Sequence, residues 1–258
     1  MLRPRIIPCL LIHKGGLVKT VGFEQPKYVG DPLNAVRIFN EKEVDELVVL
    51  DIDATREGRD PDYKLIASLA AECRMPLAYG GGVRTVQHFE RLVSLGVEKV
   101  SIGAAAVHTP DLIGEAASRV GSQSVVVVID VKQANGRFQA WTHNGTRPVG
   151  TDPVELARVA QAKGAGEIVL NSIDRDGRMQ GYDLDLLRKV RAAVSLPITC
   201  LGGAGSLADM SGLIKEFGVI GAAAGSLFVF KGKYRAVLIN YPSRADKDAL
   251  VAAARGTA

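Results

Sequence analysis

Residues 76–85 read PLAYGGGVRT, and residues 197–206, which lie 121 positions later, read PITCLGGAGS. In both stretches a short apolar run ends in a cluster of glycines. The same offset brings residues 50–53 (LDID) onto residues 171–174 (NSID), and residues 102–105 (IGAA) onto residues 223–226 (AAGS). Similarity at one fixed offset is the signature of an internal repeat. We therefore predict a unit of four strands and four helices that is present twice.

The rest of the chain alternates short apolar runs with amphipathic stretches. The predicted strands are residues 5–12, 46–52, 76–79, 99–102, 124–131, 167–170, 197–201 and 219–223. The predicted helices are residues 32–40, 63–73, 86–95, 112–120, 154–163, 184–194 and 207–217. Because runs such as VVVVID at residues 125–130 are almost wholly apolar, they are typical of parallel strands buried on both faces.

This alternation, which no linker interrupts, predicts an α/β fold consisting of one closed (βα)8 TIM barrel. The single domain would span residues 1–258, with duplicated (βα)4 halves at about residues 1–121 and 122–240 and an unassigned tail at residues 241–258. An open, doubly wound sheet is the alternative, but no GxGxxG motif follows the first strand. Three helices are expected to begin at a capping residue followed by proline, at Asp31-Pro32, Thr109-Pro110 and Asp152-Pro153.

Composition excludes several classes of protein. The chain has 258 residues, 47% of them hydrophobic, and no apolar run reaches the roughly 20 residues that span a bilayer. Its 32 basic and 28 acidic residues are interspersed, which favours a mixed solvated surface over nucleic-acid binding. Three cysteines in separate apolar segments (Cys9, Cys73 and Cys200) indicate reduced thiols and a cytoplasmic protein. The four histidines lack ligand spacing, so we expect neither a metal site nor a cofactor.

The glycine-rich strand ends predict phosphate binding. Without a Cβ atom, backbone N–H groups can approach a phosphate closely, and the following helix directs its positive end at the anion. The first candidate cradle holds Gly81 and Gly82, and the second holds Gly202 and Gly203 together with Gly225-Ser226. Two cradles across one barrel mouth would suit a ligand with a phosphate at each end. The alternative is that these glycines only form tight turns.

Acid–base candidates also follow predicted strands. Asp130 ends an apolar strand, where burial would raise the pKa of a carboxyl group toward useful values. Asp51 ends the second strand, and Asp176-Gly177 follows the sixth. Lys19 lies in residues 14–30, which, like residues 132–150, are expected to form a long loop at the functional face, so Lys19 would supply a mobile positive charge. Each residue also has a structural alternative, as a helix cap, a salt-bridge partner or a solvated side chain.

Four charged residues occupy the starts of predicted strands at the opposite end of the barrel. They are Arg5, Glu46, Lys99 and Glu167. Two positive and two negative side chains could form a closed ring of ion pairs there. Such a ring would be either a stabilising polar lid or a gate.

These features together resemble the cyclase subunit of imidazole glycerol phosphate synthase. The resemblance extends from RIIPCL at residues 5–10 through YGGGV at 79–83, DRDG at 174–177 and GGAG at 202–205 to GSLF at 225–228. It implies a duplicated half-barrel that binds a glutaminase at its bottom and receives ammonia through the barrel. At the top, ammonia would react with a doubly phosphorylated ribulosyl substrate, giving imidazole glycerol phosphate and an aminoimidazole carboxamide ribotide. The ring of four charged residues would then be the ammonia gate, and Asp130 one of two catalytic carboxylates.

The resemblance breaks at several positions. The family's first strand reads Pro-Cys-Leu-Asp, whereas this chain has Leu11 in place of that second catalytic carboxylate. Gly103-Ala104 stands where the family usually has Asn and a hydroxyl residue, and Arg178 stands where a threonine is usual. The tail from Tyr241 onward departs from the family's final helix.

The same departures resemble the second copy encoded in bacterial surface-polysaccharide gene clusters, whose first strand ends Pro-Cys-Leu-Leu. This resemblance implies a glutaminase partner, a third amidotransferase protein, and ammonia supplied for acetamidino amino sugars of O-antigen. Two alternatives remain open. The chain could be an ordinary cyclase of histidine biosynthesis that uses Asp51 or Asp176 in place of the missing carboxylate, or a scaffold that binds a phosphorylated metabolite without turnover.

Overall fold

The predicted strands close into a parallel barrel. A computed structural model describes residues 3–255. The strands are β1 (Arg5–His13), β2 (Gly16–Val21), β3 (Glu24–Gly30), β4 (Leu47–Asp51), β5 (Leu77–Gly80), β6 (Lys99–Ile102), β7 (Val125–Ala134), β8 (Arg137–Thr142), β9 (Arg147–Pro148), β10 (Glu167–Ser172), β11 (Ile198–Leu201), β12 (Gly221–Ala224), β13 (Phe230–Lys231) and β14 (Ala236–Val237). Parallel pairing runs through β1, β4, β5, β6, β7, β10, β11 and β12, and β12 pairs with β1. This closure confirms the (βα)8 barrel and excludes the open sheet.

Helices surround the barrel, and seven of them lie at the predicted positions. The helices are α1 (Pro32–Glu41), α2 (Ala54–Glu57), α3 (Tyr63–Glu72), α4 (Val86–Ser94), α5 (Ala104–His108), α6 (Asp111–Val120), α7 (Pro153–Ala162), α8 (Leu184–Ala193), α9 (Leu207–Phe217), α10 (Ser226–Val229) and α11 (Arg244–Arg255). Their buried faces pack on the outside of the barrel strands to form the main core. None of the helices formed by residues 3–255 is both long and apolar enough to cross a membrane.

Two of the three predicted helix caps form. The Asp31 side chain accepts a hydrogen bond from the amide of Asn34, and the Asp152 side chain accepts one from the amide of Val154. The prediction for Thr109 is wrong, because α6 begins one residue after Pro110 and no side chain caps it. Thr109 instead closes α5 by donating its amide to the carbonyl of Ala105 at 2.8 Å.

The two long segments predicted as loops are instead antiparallel β-ribbons, which corrects that expectation. β2 and β3 fold back on β1, while β8 and β9 fold back on β7. The turn of the second ribbon uses Asn135 (φ 52°) and Gly136 (φ 73°), a pair that suits a tight hairpin. Both ribbons extend from the carboxyl end of a barrel strand, so both stand over the same mouth of the barrel.

The tail of the chain forms helix α11, which packs against α9 and buries Leu250. Before it, the Tyr241 hydroxyl donates to the carbonyl of Ile6 at 2.7 Å and accepts from the amide of Asp45 at 3.2 Å. Residues 256–258 of the tail lie outside the described residues. The predicted boundary between half-barrels at residues 121 and 122 falls between α6 and β7, and the duplication itself stays a prediction.

Candidate functional site

A pocket opens at the carboxyl ends of the barrel strands, where predicted site residues from different strands meet. Those that line it are Leu11, Lys19, Asp51, Gly81, Asp130, Asp176, Gly177, Gly202, Gly203, Gly225 and Ser226. Gly82 is not part of this lining, and its amide donates to Thr55 Oγ1 at 3.3 Å. The position agrees with the general rule that ligands bind at this face of a barrel.

Asp130 lies on β7 at the floor of the pocket. Burial raises the pKa of Asp130 to about 6, an effect that outweighs the hydrogen bond from Asn171 and is reinforced by the nearby Asp176. The Asn171 amide donates to Asp130 Oδ1 at 2.9 Å and thereby orients the carboxyl group. A carboxyl group with a pKa near 6 can exchange a proton with a ligand near neutral pH.

Leu11 faces the same pocket from β1. It is half-buried, pairs with Val18 on one side and Leu50 on the other, and packs against the apolar cluster inside the barrel. Its side chain carries no donor or acceptor. The position at which the resemblance expects the second catalytic carboxylate thus adds an apolar side chain to the pocket that Asp130 lines.

Lys19 does not lie in a mobile loop, which corrects the expectation from the sequence. It is part of β2 and only 5% exposed, and its Nζ donates to the carbonyl of Cys9. Burial lowers the pKa of Lys19, partly offset by Cys9 and Asp176. A Cβ atom added to Gly225 would lie 2.6 Å from Lys19 Nζ, so the ammonium group reaches the pocket wall at Gly225.

Asp51 is held in place by contacts within the protein. Its Oδ1 accepts the amides of Asp53 at 2.9 Å and Ala54 at 3.0 Å, and its Oδ2 lies 3.5 Å from Arg59. These contacts hold the start of α2. Asp51 therefore lines the pocket as an anchored carboxylate.

Asp176 fastens the first ribbon over the pocket. Its Oδ2 accepts the Thr20 hydroxyl at 2.6 Å and the Phe23 amide at 3.2 Å, and its carbonyl accepts the Gly22 amide at 3.1 Å. Burial raises the pKa of Asp176 despite these hydrogen bonds. The carboxyl group lies between the ribbon and the pocket, beside Lys19.

Steric constraints explain why both cradles contain glycine, without any need for a bound ligand. Gly81 has a φ of 125°, and a Cβ there would lie 2.5 Å from the carbonyl oxygen of Asp51. Gly203 has a φ of 105°, and a Cβ there would overlap the carbonyl oxygen of Gly181. L-residues are strained at such φ values. Close backbone packing thus accounts for these glycines, and phosphate binding by them stays a prediction.

The four charged residues at the other mouth of the barrel form a closed ring. Arg5 binds Glu46 and lies 2.6 Å from Glu167, while Lys99 lies 2.8 Å from each of the two carboxylates. Thr199 donates a further hydrogen bond to Glu167 at 2.5 Å. Burial by itself would raise the pKa of Glu167, but the hydrogen bonds and charges of Arg5 and Lys99 hold that pKa below its usual value.

Sequence reasoning missed several polar residues of the site, and two examples are Asn171 in the pocket lining and Arg235 beside it. Asn171, which orients Asp130, could have been found from its place at the end of a predicted strand. Arg235 gave no such signal, because it reaches Gly177 and Ser226 only through the β13–β14 hairpin. Among residues 3–255, no three His, Cys, Asp or Glu side chains are grouped as metal ligands would be.

Comparison with known proteins decides the family. A family model described as "Histidine biosynthesis protein" matches residues 5–235. The chain belongs to the histidine biosynthesis protein family. Similar proteins in this family are provisionally named as HisF-type subunits of imidazole glycerol phosphate synthase. These names confirm the resemblance that the motifs indicated.

Three of these similar proteins align with almost the whole length of the chain. The HisF protein of Leptospira interrogans is 56% identical over 97% of this chain and 99% of its own length. The hisF3 protein of Vibrio vulnificus is 57% identical over 96% of both chains. The hisF2 protein of Pseudomonas aeruginosa is 54% identical over 94% of this chain and 97% of its own length.

Proposed function

We propose that this chain is the synthase-side subunit of a cytoplasmic glutamine amidotransferase, and that it conducts ammonia through its barrel without performing the family's cyclisation. A glutaminase subunit would bind at the bottom of the barrel, over the ring of Arg5, Glu46, Lys99 and Glu167. Ammonia would leave at the pocket that Asp130 lines.

The interior of the barrel supports conduction of a neutral molecule. A cluster of buried apolar side chains lies between the two mouths: Ile7, Cys9, Val48, Ala78, Val126, Val169, Leu201 and Ala223. Moving an ammonium ion among such side chains would be costly, whereas neutral ammonia carries no such penalty. The ring of ion pairs covers the entrance, so passage requires at least one of its contacts to open. On this proposal the ring is a gate as well as a stabilising lid.

The observation that carries the loss of cyclisation is Leu11 in the same pocket as Asp130. Ring closure needs one group to accept a proton and another to donate one. Asp130 can supply one of these functions, because burial raises its pKa to about 6. Leucine can supply neither, and general acid–base catalysis contributes about 10²–10⁴-fold to a rate.

The destination of the ammonia follows from the resemblance to the polysaccharide-cluster copies. We propose that a third amidotransferase protein receives it and forms an acetamidino group on an amino sugar of O-antigen. The pocket would then hold a phosphorylated small molecule as a ligand rather than as a substrate for cyclisation. The proposed function involves neither nucleic acid nor a membrane.

A second candidate is an ordinary cyclase of histidine biosynthesis, and one observation favours it. Asp176 lines the pocket beside Lys19, and burial raises the pKa of Asp176. Its Oδ2, however, is engaged by Thr20 and Phe23. Asp176 would have to release the first ribbon before it could act as the missing carboxylate.

Turnover of the phosphoribulosyl intermediate separates these functions. The purified chain is supplied with ammonium and that intermediate, and loss of the intermediate is followed spectroscopically. We expect no turnover from the wild type and partial turnover from Leu11→Asp. Leu11→Asn, which adds a polar group without an ionisable one, is the matched control and should stay inactive. Turnover by the wild type at the rate of family cyclases would contradict the proposal.

A scaffold that only binds a metabolite predicts a different result. If the chain is such a scaffold, adding it should leave the rate at which a glutaminase partner hydrolyses glutamine unchanged. The proposed amidotransferase subunit should raise that hydrolysis, because binding at the ring couples the two proteins. Lys99→Met should diminish the coupling.

A further inference from the structure

The exposed apolar side chains of the protein are concentrated beside the mouth of the pocket. In the described part of the chain, the large hydrophobic side chains that are exposed are Val21, Tyr28, Val159, Val219, Tyr234, Val237 and Leu238. The first two of these lie on the first ribbon, and the last three lie in the β13–β14 hairpin or directly after it. Tyr234 is 84% exposed and Tyr28 is 66% exposed. Exposed apolar side chains that are grouped, rather than scattered, mark an interaction surface.

The first ribbon and the hairpin contact each other and the wall of the pocket. Lys27 Nζ of β3 lies 5.2 Å from the centre of the Phe230 ring. Gly177, which lines the pocket, accepts a hydrogen bond from Arg235 at 3.1 Å, and a Cβ atom added to Gly177 would lie 3.1 Å from the Cα atom of Val21. The two elements thus form one rim beside the pocket. We call residues 16–30 and 230–238 the ribbon–hairpin rim.

The hairpin part of this rim is anchored to the barrel. Its Leu238 amide donates to the carbonyl of Val229 at 2.9 Å. Phe230 is buried, and the guanidinium of Arg235 lies 4.8 Å from the centre of its ring. The exposed side chains therefore stand on a fixed backbone. A surface that is already ordered loses less conformational entropy when a partner binds.

The ribbon–hairpin rim is positively charged around its apolar side chains. Besides the buried Lys19, its cations are Lys27, Lys231, Lys233 and Arg235. None of these four lies within 4.0 Å of a carboxylate of residues 3–255, although Asp176 stands near Arg235. Glu24 is the one acidic residue in residues 16–30 and 230–238. A partner that fits this surface therefore has carboxylates around an apolar centre.

We propose that the ribbon–hairpin rim is the docking surface for the protein that takes up the ammonia, and that this protein covers the mouth of the pocket with an acidic surface. Tyr234 and Leu238 would contact its apolar centre, while Lys231 and Lys233 would contact carboxylates around that centre. This inference rests on the ammonia pathway of the proposed function.

The position of the rim suits this partner. The glutaminase would bind over the ring of charged residues at the opposite mouth, so the chain could hold both proteins at once. A cover over the pocket would keep ammonia from escaping into water, where it would be protonated. The family model ends at residue 235, inside the hairpin, while the similar proteins align beyond it. This favours a function particular to these proteins over one common to the whole family.

Calorimetric titration tests the docking surface. The probe is the purified amidotransferase that forms the acetamidino group, and it is titrated into the complex of the whole chain with its glutaminase. Tyr234→Ser should weaken binding by about tenfold or more, because an aromatic contact at the centre of an interface is lost. Val159→Ser is the control, since it removes an exposed apolar side chain of α7, away from the rim, and it should bind as the wild type does.

The charge of the rim has its own test. Lys233→Glu should slow association with the amidotransferase, and the wild type should lose affinity as salt is added. Lys189→Glu makes the same change of charge on the exposed face of α8 and should have little effect. All these side chains are exposed, so we expect each variant to fold, and melting curves will show whether it does.

Escape of ammonia provides a functional measurement. Glutamate dehydrogenase, added with 2-oxoglutarate and NADPH, consumes the ammonia that leaves the complex. We expect Tyr234→Ser to increase this escape when the amidotransferase is present, and to leave glutamine hydrolysis without the amidotransferase unchanged.

Three results would overturn the inference. One is a wild-type complex that does not bind the amidotransferase, and another is unchanged affinity in folded Tyr234→Ser and Lys233→Glu. The third is a rim that, in place of the amidotransferase, binds a second copy of the chain in sedimentation or vesicles of phosphatidylglycerol. If the wild type still raises glutamine hydrolysis by the glutaminase, these results leave the ammonia pathway standing. If it does not raise hydrolysis, the pathway and the inference fail together.

Discussion

Replacing Lys99 by methionine removes one of the two cations of the ring while nearly keeping the length of the side chain. Lys99 Nζ lies 2.8 Å from Oε2 of Glu46 and 2.8 Å from Oε2 of Glu167. The side chains of these glutamates are only 5% and 7% exposed. The variant therefore leaves two buried carboxylates that share Arg5 as their remaining cation within the ring.

The expected loss of stability follows from this geometry. Removing one partner of a fully buried ion pair costs about 3–5 kcal/mol. Because Arg5 still contacts both carboxylates and Lys99 is 18% exposed, we expect about 2–3 kcal/mol at pH 7. Lys163→Met is the matched control, since it breaks an exposed pair with Asp111 and should cost less than about 1 kcal/mol.

The loss should depend on pH through Glu167, whose folded-state pKa is lowered by Arg5 and Lys99 against the effect of burial. A carboxyl group with a lowered pKa stabilises the fold above its unfolded-state pKa, and this contribution disappears as the pH falls through the folded-state pKa. Without Lys99 the pKa of Glu167 rises. The difference in stability between wild type and Lys99→Met should therefore be full at pH 7 and shrink below about pH 4.

Urea unfolding midpoints of the wild type, Lys99→Met and Lys163→Met at several pH values provide the assay. A midpoint of Lys99→Met equal to that of the wild type at pH 7 would refute the reasoning, as would a difference that does not change with pH. Ammonia transfer from the glutaminase distinguishes the two functions of the ring. A gate requires Lys99→Met to change this transfer, whereas a lid requires only the loss of stability.

Three further predictions concern the pocket. Leu11→Asp should raise cyclase turnover from background by up to about 10²–10⁴-fold, and the gain should vanish when Asp130→Asn is added, as intermediate consumption will show. Because the pKa of Asp130 is raised to about 6, its ionisation destabilises the fold as the pH rises above about 4, so Asp130→Asn should stabilise the protein by about 2–3 kcal/mol at pH 7 and by little at pH 4. Melting temperatures at the two pH values check this, and an equal effect at both would contradict it. Gly203→Ala should destabilise by about 3 kcal/mol, because its Cβ would strike a backbone carbonyl, whereas Gly58→Ala, also at positive φ but in open space, should cost about 1 kcal/mol. Chemical unfolding measures the stability of the two variants. Equal losses of stability would show that the φ angle alone, and not the contact with the carbonyl, determines the effect.

Much of the fold could be predicted because the sequence records local periodicity and a repeat. Residues 125–129 are apolar at every position, and only burial on both faces permits that in a strand. The charged residues at the strand starts could also be grouped, since parallel strands of a barrel start at one end. Once the barrel was predicted, the four charged side chains could be expected to meet in a ring.

The remaining features depend on contacts that a single sequence does not record. Lys19 seemed suited to a solvated loop because lysine is rarely buried, yet β2 is buried at four consecutive positions and carries Lys19 inward. Thr109 has the sequence of a helix cap, but it is already used to end α5. Arg235 lies nine residues after Ser226 and returns to it only through a hairpin with short strands.

The most direct test of the central claim measures imidazole glycerol phosphate formed per glutamine hydrolysed. The chain and its glutaminase partner are given glutamine and the phosphoribulosyl intermediate together, with the glutaminase alone as the reference. Ammonia conduction without cyclisation predicts faster glutamine hydrolysis in the presence of the chain and a product ratio near zero. A ratio near one, or hydrolysis no faster than that of the glutaminase alone, would contradict the account.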